Sequence, residues 1–134
     1  MSEYSDKIIY ALVASGAKPL ASYSDFAGTF EESCILYLRK IGPSTSAAVK
    51  VDDSFIIYYT NENNITYLIM TGNLYTKETA IGCLESIKKE FESLYQNTTF
   101  ESESNFALND EFKVKLRMKI DYFNCNTDVS NEAL

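Results

Sequence analysis

The chain has 134 residues, of which 46% are hydrophobic and 23% charged, and its formal net charge is −7. Length and composition predict a single globular domain whose core needs no disulfide or metal, and the negative charge argues against nucleic acid and anionic lipid, which are both polyanions. Residues 1–6 are polar and acidic and no apolar run approaches membrane-spanning length, so the sequence as given predicts a soluble chain without signal peptide or membrane helix.

The first part of the chain predicts a hairpin of two strands. Residues 7–15 (KIIYALVAS) are almost continuously apolar and rich in β-formers, which is typical of a central strand buried on both faces. After a turn at residues 16–19, residues 20–23 are short enough to form the second arm.

A helix is predicted next, ending at Ile41. Asp25 and Thr29 are candidate N-caps, and Gly42-Pro43 is a helix stop. The apolar stripe at helical spacing consists of Phe30, Cys34, Tyr37, Leu38 and Ile41.

The rest of the chain predicts three strands and two helices. The strands lie at 47–51, 54–60 and 65–71, and the last two flank the loop Asn61-Glu62-Asn63-Asn64. The helices lie at 76–95 and at 109–123, each with an apolar stripe, and a polar tail follows. The order ββαβββαα, with little alternation in the central strands, predicts an α+β fold whose sheet is covered on both faces.

Catalytic and metal-binding residues are sparse in this sequence. The chain has no histidine, which is the commonest general base, and no nucleotide-binding or nucleophile motif. Three widely spaced cysteines, Cys34, Cys83 and Cys125, predict two buried thiols and one tail thiol, and no zinc site. Asp52-Asp53, the one doubled aspartate, is typical of a solvated turn. We therefore expect no enzyme activity and no cofactor.

The first predicted helix carries more apolar surface than one sheet face requires. Ile35 and Leu36 flank its stripe, so residues 34–38 are apolar without interruption. One interpretation is a groove between this helix and the strand at 47–51 that binds an apolar stretch of a partner. The other is that both residues pack under a neighbouring loop.

Five motifs then follow one another in an order that fits a known family. They are IIYALVASGAKPLASY at 8–23, SDFAGTF at 24–30, LRKIGP at 38–43, FESLY at 91–95, and ALNDEF at 107–112 followed by Leu116. Over residues 7–123 the chain resembles a longin domain, in particular the N-terminal domain of longin-type R-SNAREs, the vesicle-associated membrane protein or synaptobrevin-like family. It departs from the family pattern at Ser15, where arginine is usual, at the inserted Gly42, and in a less aromatic third strand.

The resemblance implies a profilin-like fold with a five-stranded antiparallel sheet, one helix on one face and two on the other. It implies a longin domain at 7–123, an N-terminal tail at 1–6 and a linker at 124–134 that leads to a SNARE motif and membrane anchor absent from this chain. Such domains bind their own SNARE helix and vesicle coat or adaptor proteins, and so control fusion and sorting. The implied partner-binding groove contains Ile35, Leu36, Val49 and Val51.

Two other classes of binding protein fit the same residues. One is a longin-like subunit of an adaptor or of a tethering or nucleotide-exchange complex. The other is a profilin-like binding domain, although ligand sites of that kind typically use tryptophan, which this chain lacks. For the R-SNARE reading we expect a monomer, cytosolic as given and on the cytoplasmic face of vesicles or endomembranes in full-length form.

Overall fold

A computed structural model describes residues 5–24, 30–41, 45–51, 53–96, 100 and 104–125. Its elements are β1 (Ile8–Ser15), β2 (Lys18–Ser24), α1 (Phe30–Leu38), β3 (Ser46–Val51), β4 (Phe55–Glu62), β5 (Ile65–Gly72), α2 (Lys77–Leu94) and α3 (Asn109–Cys125). The strands form one sheet in the order β2-β1-β5-β4-β3 with antiparallel neighbours. The predicted ββαβββαα fold is confirmed.

The sheet separates two hydrophobic cores. α1 packs on one face against a cluster that includes Leu12, Ile57 and Leu68. α2 and α3 pack on the other face, where the cluster includes Ile69 and Phe112. One helix therefore covers one face and two helices cover the other, as the resemblance implied.

The central strand β1 is buried on both faces. From Ile8 to Ala14 no residue is more than 1% exposed. Ile9 and Tyr10 both lie on the α1 face, because the register with β5 shifts by one residue between Ile8 and Tyr10. The continuous apolar run at 8–14 thus reflects two covered faces, as predicted.

The turn between β4 and β5 is tighter than predicted. Both strands extend toward it, so that only Asn63 and Asn64 remain as the loop. Their φ angles are 55° and 66°, which match the type I′ turn of two-residue hairpins. Asn61, predicted as a loop residue, is instead buried in β4, where its side-chain Nδ2 donates to Thr66 Oγ1 at 2.7 Å.

Helix α1 is shorter than predicted. Its last residue is Leu38, and the chain then tightens into i→i−3 hydrogen bonds, Lys40 N to Tyr37 O and Ile41 N to Leu38 O. The candidate caps at 25 and 29 and the predicted stop at 42–43 lie outside the described residues.

Helix α3 is longer than predicted, because its end is held to the sheet. It continues through Asn124 and Cys125. The Asn124 side chain accepts from Ile8 N at 2.8 Å and donates to Ile8 O at 3.1 Å, as a paired strand would. The Tyr75 hydroxyl also donates to Phe123 O at 3.0 Å, in the last turn of the helix. The last turn of α3 is thereby fixed against the start of β1.

Replacing Asn124 tests this connection. Asn124→Ala removes both hydrogen bonds to Ile8, and we expect the free energy of unfolding to fall by about 1–3 kcal/mol in urea denaturation. Asp121→Ala, an exposed change in the same helix, should alter it by no more than about 0.5 kcal/mol. Equal effects of the two variants would contradict the proposed role of Asn124.

Replacing Asn64 tests the turn. Asn64→Gly should be neutral or slightly stabilising because glycine adopts positive φ without strain. Asn64→Ile should lower the free energy of unfolding by about 1–2 kcal/mol, since a β-branched residue is strained there. Asn105→Ile, at an exposed position without positive φ, is the control. Thermal unfolding of wild type and the three variants measures these changes in stability. Similar losses of stability in the two isoleucine variants would rule out the turn as the cause.

Candidate partner-binding site

Two aromatic contacts hold α1 on the sheet beside its outer strands. The Phe30 and Phe55 rings meet edge to face with centroids 5.5 Å apart, and the Tyr37 and Tyr59 rings lie 6.1 Å apart. Cys34 of α1 is fully buried on the side of the helix that faces the sheet. Since Phe55 and Tyr59 belong to β4, α1 leaves β3 uncovered at its side.

Edge strand β3 presents two valines toward α1. Val49 pairs with Ile57 and Val51 pairs with Phe55. Both partners belong to the α1-side core, so the valines lie on the α1 face, where each is half-buried. These two residues therefore lie on the face of the sheet that α1 covers, at its edge strand.

The two helix residues proposed for the groove point in different directions. Leu36 is 60% exposed and lies next to Tyr37, on the outer side of α1. Ile35 lies one turn after Glu31, whose Oε2 accepts from Ser22 Oγ of β2 at 3.3 Å, so Ile35 shares the flank toward β2. Val49 and Val51 thus lie on the face of the sheet that α1 covers, Leu36 lies on the solvent side of α1, and Ile35 lies on its flank toward β2.

The outer edge of β3 is open, whereas that of β2 is closed. Backbone N–H groups of Phe106 and Leu108 donate to Pro19 O and Leu20 O at 2.8 and 2.9 Å. Among the described residues no backbone hydrogen bond reaches the outer edge of β3. We call the α1–β3 surface the combination of Leu36, Tyr37, Val49, Val51, Phe55 and Tyr59.

The sequence did not predict that Tyr37, Phe55 and Tyr59 belong to this surface, although it placed Tyr37 in the apolar stripe of the helix. Phe55 and Tyr59 are four residues apart in one strand, and a period of two places them on the same face. That spacing was a readable signal. Which helix covers this face could not be predicted from the spacing, because that depends on the strand order.

The two cysteines in the cores are poor nucleophiles, because burial keeps their thiols protonated. Burial, and secondarily Glu31, raises the pKa of the Cys34 thiol to about 12, and burial raises that of Cys83 to about 12 on the other face. Two thiols are therefore buried as predicted, and Cys125 is exposed in the last turn of α3.

Within the described ranges no three acidic, cysteine or histidine side chains are grouped to bind a metal ion. No helix in those ranges has the length and apolarity to cross a membrane.

Comparison with known proteins decides the family. Residues 20–116 match the model of the longin domain, described as a regulated-SNARE-like domain. The chain belongs to the longin family. This confirms the resemblance found in the sequence.

Curated relatives of this longin chain are vesicle-associated membrane proteins. They include putative vesicle-associated membrane protein 726 of Arabidopsis thaliana, 27% identical over 86% of the chain and 52% of the relative. For vesicle-associated membrane protein 7 of Rattus norvegicus the values are 26%, 89% and 54%, and for protein 7B of Dictyostelium discoideum they are 26%, 91% and 46%. The chain spans about half the length of the curated relatives it matches.

Thiol reactivity tests the packing of α1. At pH 8 a disulfide reagent should titrate Cys125 rapidly, while Cys34 and Cys83 stay protected because they are buried and protonated. Cys125→Ser should abolish the fast phase, and in guanidinium the wild-type chain should release all three thiols. Rapid reaction of the Cys125→Ser variant under native conditions would show that α1 or α2 is loosely packed.

Proposed function

We propose that this chain is the regulatory N-terminal longin domain of a vesicle R-SNARE. It controls membrane fusion and sorting by binding its own SNARE helix and trafficking adaptors through the α1–β3 surface, with Ile35 at the rim. In full-length form it works on the cytoplasmic face of vesicles or endomembranes, and it catalyses no reaction.

The relatives support the place of this domain in a longer protein. Each is named as a vesicle-associated membrane protein and is about twice as long as the matched region. A downstream segment on the same polypeptide has a high effective concentration at the domain, so even a weak contact is populated. A domain of this kind acts as a switch when its contact with that segment gives way to competing partners.

The observation that carries the proposal is apolar surface next to an open strand edge. Leu36 is exposed on α1, and Val49 and Val51 are half-buried on β3. A single exposed leucine is ordinary, but half-buried valines on an edge strand beside half-buried aromatic rings are a surface of the kind that binds an amphipathic helix or an extended apolar peptide.

The chemistry of this surface suits a reversible contact. Its aliphatic side chains gain about 1–2 kcal/mol each when a partner buries them. The described residues of β3 include one charged side chain, Lys50, which the pairing with Ile56 places on the opposite face. Specificity then comes from the shape and register of the apolar contact, and its total stays within the few kcal/mol that a competing partner can overcome.

A titration with variants of matched exposure tests the proposal. The chain is titrated with the segment encoded after Leu134, and wild type is compared with Leu36→Ser and Val49→Ser. We expect saturable binding that each variant weakens about five- to tenfold. Leu94→Ser is the control, because Leu94 is 49% exposed on α2, on the other side of the sheet. Circular dichroism establishes that each variant is folded.

The outcomes separate the classes of binding protein. Loss of binding in the α1–β3 variants with an unaffected Leu94→Ser supports an R-SNARE longin domain that binds its own downstream segment. Absence of binding, or a gene without such a segment, removes that part of the proposal and favours a subunit of an adaptor or tethering complex. Permanent assembly of that kind requires a stable oligomer or hetero-complex, which light scattering of the purified protein detects.

A further inference from the structure

A second concave site lies on the face that α2 and α3 cover. A cleft of about 320 Å³ opens where the β4–β5 turn meets the end of α2. Its walls are aromatic, because the Phe91 ring lies 4.7 Å from that of Tyr95, 5.7 Å from that of Phe100 and 5.9 Å from that of Tyr67. Two carboxylates, of Glu62 and Glu92, line it as well. Aromatic walls with carboxylates favour a cation over an anion or a neutral apolar group.

The hydroxyl of Tyr67 is almost buried in this cleft, but it is not sealed from solvent. Tyr67 is 1% exposed and lines the cleft, yet its hydroxyl makes no hydrogen bond to any described residue. Burial raises its pKa, and the nearby carboxylates of Glu92 and Glu62 raise it further. By contrast, the Tyr75 and Tyr95 hydroxyls on the same face donate to Phe123 O and Glu111 Oε1. A ligand in the cleft can therefore form a hydrogen bond with this hydroxyl in place of water.

The charge of the cleft is only partly neutralised. Glu62 forms an ion pair with Lys88. Glu92 has no ion pair with any described residue, and it sits in a chain of net charge −7. One carboxylate at the cleft therefore remains available to an incoming cation.

A guanidinium group fits these features better than an ammonium. It is planar, so it stacks on an aromatic ring, and its five N–H donors reach a carboxylate and a phenol oxygen together. Half-buried Tyr95 supplies the accessible ring, Glu92 supplies the carboxylate, and Tyr67 supplies the oxygen. An ammonium is a compact and strongly hydrated charge that gains less from the rings.

We propose that this cleft binds an arginine side chain presented by a basic segment of a partner protein. The site is separate from the α1–β3 surface, because the sheet lies between them. It rests on no part of the longin function proposed above, and both sites can be occupied at once. An acidic domain attracts basic segments over a distance, and the cleft then selects arginine at close range.

An arginine probe and its neutral isostere test the proposal. The folded chain is titrated with acetyl-arginine methylamide and with acetyl-citrulline methylamide, which has nearly the same shape without the charge, and amide NMR spectra are recorded. Arginine should cause saturable shifts at Tyr67, Glu92 and Tyr95 with a dissociation constant on the order of 1–10 mM. Citrulline should bind at least about tenfold more weakly, because hydrogen bonds to charged groups are the stronger ones.

Two conservative variants assign the binding to the cleft. Glu92→Gln removes the available charge and Tyr67→Phe removes the hydroxyl but keeps the ring, and we expect each to weaken arginine binding at least about fivefold. Tyr67→Phe should also leave the free chain about as stable as wild type, since the deleted hydroxyl bonds no described residue. Glu32→Gln, the same charge change at an exposed site on α1, is the control and should leave binding unchanged.

The proposal is overturned by any of four results, of which three concern the probe and the cleft variants and the fourth concerns the control. The first three are equal binding of citrulline and arginine, unchanged binding in both Glu92→Gln and Tyr67→Phe, or no saturable shift up to the solubility limit of the probe. Equal weakening by Glu32→Gln also overturns it, because the effect is then one of net charge. None of these results bears on the α1–β3 surface, so the two proposals fail independently.

Discussion

The burial of β1 on both faces is the constraint on which the rest of this structure depends. An apolar strand that is sealed from Ile8 to Ala14 requires a layer of helices on each side of the sheet. On one side α2 and α3 meet the requirement together. On the other side α1, a helix of nine residues, meets it alone. A single short helix covers the central strands and reaches β2 at one edge but leaves the side chains of β3 at most half-buried, so the apolar surface at β3 follows from how β1 is covered.

The two edges of the sheet are treated in opposite ways. At β2 the segment that leads into α3 completes the hydrogen bonding, and Phe106 adopts a positive φ of 60° as it does so. That backbone conformation is costly for a phenylalanine, and its presence indicates that closing this edge is worth more than the strain. At β3 the edge is left short, at six residues, and carries Lys50, both of which are features that limit uncontrolled strand pairing. An open edge of this kind tolerates a specific partner without inviting aggregation.

The sequence was sufficient for the elements and their order because periodicity and breakers act locally. The stripe at Phe30, Cys34 and Leu38 specifies which side of α1 is buried. Distant contacts account for what was missed. Asn61 became a strand residue because Thr66 across the hairpin satisfies its amide, and α3 was extended because Asn124 binds Ile8, 116 residues away. The surface beside α1 was predictable only in part. Strand alternation determines which face Val49 and Val51 lie on, whereas the side to which Ile35 points depends on how α1 is oriented on the sheet, where Glu31 accepts a hydrogen bond from Ser22. The cleft at Tyr67 joins β5 to the end of α2, and no local pattern connects those residues.

The bonding of Asn124 to Ile8 has a mechanical consequence. The last described turn of α3 and the first residue of β1 lie side by side, so a pull on the chain beyond Cys125 reaches the central strand without passing through the helices. The two amide hydrogen bonds and the Tyr75 contact join the end of α3 to the rest of the domain, so they would bear part of this load. Tension applied from the carboxyl end would therefore act on the most deeply buried strand of the domain while the α1 side, where β3 lies at the far edge of the sheet, carries little of it. The domain can thus be tethered at one end and still present its opposite edge undistorted to a partner.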